Sequence, residues 1–83
     1  MKLALYHYAG CGFCGIVRSV MDELGLEIEL RDILEDPEHE RELVAATGRQ
    51  TVPCLQIEAE DGGIRWMHET TDIIQYLQTL AAV

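Results

Sequence analysis

Basic residues are scarce in this 83-residue chain: one lysine, Lys2, and five arginines at 18, 31, 41, 49 and 65 face fifteen acidic side chains. The formal net charge is −9. Binding a polyanion rests on Lys and Arg gathered on one face, and these arginines are scattered, so nucleic acid and anionic membrane are not expected partners. Long apolar runs are missing too. No stretch approaches the roughly 18 consecutive apolar residues of a membrane span, and Met1–Tyr8 lacks the length and cleavage pattern of a secretory signal. A cytoplasmic location is the expectation. Three cysteines are too few, and odd in number, for a disulfide framework, and Cys11 and Cys14 sit too close to staple a small fold.

Hydrophobic residues make up 48% of the chain and charged ones 25%, ordinary proportions for a folded protein. The length allows a single domain, 1–83, burying only roughly 60% of the surface its unfolded chain exposes. Lys2–Tyr8 reads as a buried strand. From Gly12 to Gly25, Ile16, Val17, Val20, Met21 and Leu24 form one helical face, with Gly25 a suitable left-handed stop. Leu26–Ile33 alternates apolar and charged residues with period two and reads as a strand. Asp36-Pro37 opens a second helix as cap and first-turn proline, and Gly48 ends it. Leu43, Val44 and Ala46 form its weak apolar stripe. Thr51–Ala59 and Ile64–His68 flank Asp61-Gly62-Gly63 as a hairpin. Thr70 is expected to cap a last helix carrying Ile73, Ile74, Leu77 and Leu80 on one side. The order β-α-β-α-β-β-α, with its first crossover right-handed, predicts an α/β, thioredoxin-like fold: a four-stranded mixed sheet with helices on both faces.

Cys11-Gly12-Phe13-Cys14 falls between the first strand and the first helix. A thiol at a helix N-terminus faces free N–H groups and the positive end of the helix dipole, both of which favour thiolate. Cys11 would take that place, and Cys14, one turn inside, could close a disulfide with it. Thiol–disulfide exchange needs such a nucleophile and resolving partner. A zinc half-site is the second reading, with Cys54, His7, His39 and His68 as further ligands, none spaced as a second pair. A pair of buried structural thiols is the third. Pro53, at the head of an interior strand, is the other singular feature. A cis Val52–Pro53 bond would expose the Val52 backbone to a peptide-like ligand, although on base rates alone a trans bond is expected.

These residues resemble the glutaredoxin family, in one register over the whole chain: LYHYAGCGFC looks like its first strand and active-site loop, and TGRQTVP like its cis-proline loop. The resemblance implies glutathione as co-substrate, with Cys11 and Cys14 catalytic and Cys11, Phe13, Thr51, Val52, Pro53, Glu69 and Thr70 forming the glutathione site. It also implies a cis Val52–Pro53 bond, with the Val52 backbone pairing with the cysteinyl unit. The last helix's N-terminus, at Glu69 and Thr70, would receive the γ-glutamyl carboxylate, as a helix start suits an anion. Two departures stand out. Tyr8 replaces the family's usual lysine before the first cysteine, leaving Arg49 or Gln50 to meet the glycyl carboxylate. MHETTDIIQYL resembles the glutathione-site helix of glutathione transferase N-terminal domains. The Gly-Phe between the cysteines matches the monothiol, iron–sulfur-carrying subclass, but that subclass has serine where Cys14 stands.

The expected activity is therefore glutathione-dependent reduction of protein disulfides or protein–glutathione mixed disulfides by a monomer. Disulfide-bonded and glutathionylated proteins would be its partners. The alternatives are a dimer carrying a glutathione-ligated iron–sulfur cluster on Cys11, with no other protein metal ligand, and a dedicated reductant of one enzyme. Cys54 reads as a small buried strand residue or a third redox thiol. Phe13 reads as an aromatic wall beside the thiol or a core residue, His68 as a ligand contact or a hydrogen-bonded edge residue, and Trp66 and Tyr76 as packing residues. The acids at 35, 36, 38, 40 and 42 read as a solvated helix start that could also steer a basic partner.

Overall fold

Glycine and aspartate at the element ends set where the chain turns. In the computed structural model, which describes residues 1–82, the elements are β1 (Lys2–His7), α1 (Gly12–Leu24), β2 (Glu29–Asp32), α2 (Pro37–Thr47), β3 (Cys54–Glu58), β4 (Ile64–Met67) and α3 (Thr70–Ala81). The sheet order is β2-β1-β3-β4. β1 runs parallel to β2 with Leu5 opposite Leu30, and antiparallel to β3 with Leu5 opposite Leu55. The mixed sheet expected from the element order is present, and the fold is thioredoxin-like.

Gly25 and Gly48 end α1 and α2 in left-handed conformations, φ 66° and 73°, where a Cβ would be strained. At Gly25 the stop is a Schellman turn: the Gly25 N–H donates to the Asp22 carbonyl and the Leu26 N–H to the Met21 carbonyl. That turn corrects the expected start of β2. Leu26 is spent on closing α1, so the strand begins at Glu29, although Leu26 and Ile28 still pack against the core. Asp36 caps α2 as expected, its carboxylate accepting the Glu38 N–H at 3.0 Å. The cap of α3 is Glu69, not Thr70, which is the first helical residue.

Strand alternation sends β1 side chains to two cores. Leu5 joins Val17, Met21, Leu55, Ile57, Ile73 and Leu77 beneath α1 and α3. Ala4 and Tyr6 join Ile33, Leu43 and Cys54 on the α2 side. The second core is the more polar. The buried Tyr6 accepts from Arg31 Nη1 at 2.6 Å through its hydroxyl and stacks at 5.3 Å on Trp66. Of the expected α2 stripe only Leu43 is buried, and Val44 is exposed. No helix among the described residues is long and apolar enough to cross a membrane.

Candidate functional site

The thiol pair sits where β1 gives way to α1. Past His7 the chain turns through Tyr8–Gly10, with the Cys11 N–H donating to the Tyr8 carbonyl at 3.1 Å. Cys11 is the N-cap of α1, in extended conformation, and its Sγ accepts the Cys14 N–H at 3.2 Å. The sulfur thus takes the place a Ser or Asp oxygen would hold at a helix start. Cys11 is partly exposed, Cys14 is fully buried, and both are free thiols. Burial, with the hydrogen bond of the Cys14 thiol to Cys11 adding to it, pushes that thiol up to about 12. The pair is therefore unequal: one accessible sulfur at a helix start, and one closed beneath it.

Beside it lies a groove of about 310 Å³, lined by Phe13, Thr51, Val52, Pro53, His68, Glu69, Thr70 and Thr71. Three elements meet here: the first turn of α1, the segment leading into β3, and the start of α3. The Val52–Pro53 peptide is cis, as the family resemblance implies and against the base rate for X–Pro bonds. Phe13 is 65% exposed, which removes it from the core and makes it a wall of the groove. At the far wall no side chain caps α3, so N–H groups of its first turn are open to an acceptor. Of the residues expected at the glutathione site, all but Cys11 line this groove; Cys11 stands two positions before Phe13, at the head of the same helix, and Cys14 lies buried beneath it.

His68 and Thr71 complete the lining. The place of His68 in the groove fits its reading as a ligand contact; Thr71 is not among the expected site residues, although the doubled threonine at a helix start is a visible signal. The His68 imidazole is held below its usual pKa by burial, with the Arg49 charge adding to this. Its Nε2 lies 3.8 Å from Cys54 Sγ, and its Nδ1 is buried without a partner of hydrogen-bonding geometry among the described residues. Cys54 is fully buried and raised by that burial to about 11, which fits the packing reading of this residue. The four further ligands of a zinc reading do not gather on the Cys11–Cys14 pair: Cys54 and His68 meet each other, His7 meets Arg18, and His39 packs edge-on against Tyr6. Gln50 lines a different depression, along α2 with Val44 and Ala45.

This arrangement defines a thioredoxin-fold protein with a cysteine at the head of α1 and a groove closed by a cis-proline. Within that class, the family model of the glutathione S-transferase N-terminal domain matches residues 5–82, and the chain belongs to that family. The family assignment is to transferase N-terminal domains, the relatives that MHETTDIIQYL resembles. No curated protein matches the chain. Among solved structures, maleylacetoacetate isomerase from Anaeromyxobacter dehalogenans 2CP-1, with glutathione bound in its active site, is 25% identical with a TM-score of 0.74. That match covers 98% of this chain and 38% of the isomerase. A trimeric glutathione transferase from Leishmania is 30% identical with a TM-score of 0.77, covering 95% of this chain and 18% of that one. The thioredoxin-like protein BC3987, as a mutant, shares the fold at 23% identity and a TM-score of 0.70, over 95% of this chain and 97% of its own. The chain thus spans well under half the length of its transferase-like relatives.

Proposed function

We propose that the chain acts as a glutathione-dependent thiol–disulfide oxidoreductase, with residues 1–83 as one working domain. The observation that carries this is Cys11 at the N-cap of α1, beside a groove whose lining includes Val52, the cis Pro53 and Glu69. Membership of a glutathione transferase family supports glutathione as the ligand, and the isomerase with glutathione in its active site supports the same groove as its place. The Val52 backbone would pair with the peptide part of glutathione, and the open first turn of α3 would receive its γ-glutamyl carboxylate.

In the reaction, the Cys11 thiolate attacks the sulfur of glutathione in a protein–glutathione mixed disulfide. A bond forms between Cys11 and glutathione, and the target protein leaves as a thiol once it takes a proton. A second glutathione thiolate then attacks the glutathionyl sulfur, releasing glutathione disulfide and regenerating Cys11. With a protein disulfide as substrate, Cys11 forms a mixed disulfide and Cys14 displaces the target, closing the Cys11–Cys14 bond. Two glutathione molecules then restore the dithiol. Resolution by Cys14 is optional for the first substrate and required for the second.

That difference supplies the test. Cys11→Ser loses both activities, by roughly 10³-fold as expected for removal of a nucleophile. Cys14→Ser keeps removal of glutathione from a glutathionylated peptide and loses direct reduction of a protein disulfide. Full activity in Cys11→Ser would overturn the assignment.

A further inference from the structure

His7 and Arg18 form a contact that the proposed reaction does not yet use. His7, the last residue of β1, is 7% exposed. Arg18 Nη1 lies 2.9 Å from its Nδ1. A guanidinium can only donate, so Nδ1 is the acceptor and the imidazole is neutral, in keeping with the lowering of its pKa by burial and by the Arg18 charge. Arg18 therefore meets a neutral partner, and among the described residues no carboxylate lies within 4.0 Å of it, whereas Arg31 and Arg41 are ion-paired. Its other nitrogen, Nη2, lies over the start of α1, 3.5 Å from where a Cβ on Gly15 would stand. Cys14 and Arg18 are one helical turn apart on one face, with the arginine leaning toward the helix N-terminus, as helical side chains do. A half-buried cation without a counter-ion thus sits beside the buried thiol. The other titratable groups at this corner are Cys11, which contacts Cys14, and Asp32 at the end of β2 and Glu35 just after it, which face His7.

Resting on the oxidoreductase reading, we infer that Arg18, held in place by His7, is a positioning residue for the resolving step: its charge favours the Cys14 thiolate that attacks Cys11 in a mixed disulfide. In that step the Cys14 proton passes to solvent and a Cys14–Cys11 bond forms. The Cys11–substrate bond breaks, and the substrate leaves as a thiolate that solvent protonates. The dithiol is oxidised by two electrons and the substrate disulfide is reduced by two.

The step is read directly with 2,2′-dithiodipyridine, a neutral probe whose attraction to the site does not depend on Arg18. Substoichiometric probe is mixed with reduced protein in acid, where Cys11 takes one half of it and Cys14 stays protonated. The pH is then stepped up and release of the second thione is followed. Because a more basic thiol is also the better nucleophile (Brønsted slope about 0.4–0.5), each tenfold loss of thiolate shows as only roughly threefold slower release, and Arg18→Met releases the second thione more slowly than wild type. The pH–rate profile of Arg18→Met moves to higher pH, and Arg18→Lys restores most of the rate. Thermal unfolding of each variant separates this from loss of fold: a folded Arg18→Met with the wild-type second phase and profile overturns the role of Arg18. Equal slowing in Arg18→Lys and Arg18→Met overturns it as well, by showing that packing and not charge matters. If wild-type protein releases only one thione per probe molecule, Cys14 does not resolve and the inference fails, while removal of glutathione through Cys11 alone still stands; loss of that activity is what overturns the oxidoreductase reading.

Discussion

Cys14 and Cys54 are both closed to solvent, yet their surroundings differ. Cys14 contacts a second thiol and has a guanidinium one turn away. Cys54 contacts the His68 ring and the α2-side core, with burial alone dominating its chemistry. The same residue type is proposed to attack in one place and packs in the other. The buried His7 and the half-buried His68 are both held below the usual imidazole value of 6.5. The unfolded chain therefore binds protons first as the pH falls below about 6.5, and stability declines from there toward the lower folded-state values. Above about 6.5 both states are neutral and the dependence ends. Thermal melts between pH 5 and 8 should show the midpoint falling on the acid side, with a shallower fall in His7→Gln, which keeps an acceptor for Arg18 but does not titrate.

At the level of elements, α2 is the least anchored helix, holding the sheet through one fully buried residue, Leu43. Leu43→Ala should cost about 2–5 kcal/mol in urea denaturation, against about 0.5 kcal/mol or less for Val44→Ala on the exposed side. The stops and caps that bound α1 and α2 were legible because Gly25, Asp36-Pro37 and Gly48 each answer a local backbone requirement. The start of β2 was not, since Leu26 satisfies strand alternation and the Schellman contact equally well, and only the folded helix end decides between them. The cap of α3 was not, because Thr70 is the residue type that caps helices while the observed Glu69 makes no side-chain cap hydrogen bond, so backbone angles alone place it. Phe13, Thr51, Val52, Pro53, Glu69 and Thr70 were legible through the family resemblance carried by three separate segments, while Thr71 carried no such mark. The His7–Arg18 contact was not, because it joins a strand to a helix across the site, and neither residue carries a local mark of the other.

For the whole molecule, a net charge of −9 acts at a distance. An acidic domain draws basic targets toward its groove, and salt weakens that attraction once charges lie beyond a Debye length of about 8–10 Å. Glutathionylated peptides of positive charge should therefore turn over faster than acidic ones at low ionic strength, chiefly through kcat/KM. The gap should close as salt rises, while glutathione itself, a small ligand held by local contacts, responds less. A gap that persisted at high salt would place the discrimination in direct contacts instead of the field. The sheet also orders the molecule from end to end. β3 leaves the cis-proline and runs away from the groove, the chain turns at Asp61–Gly63, and β4 returns to His68 and Glu69. The turn is exposed, and Gly62 there has φ 90°. Exposed polar loop tips tolerate inserted sequence, so a reporter or tether spliced into this turn would stand a full strand length from the thiols. The molecule thereby offers an attachment point for immobilised or fused forms, with its reactive end still facing outward.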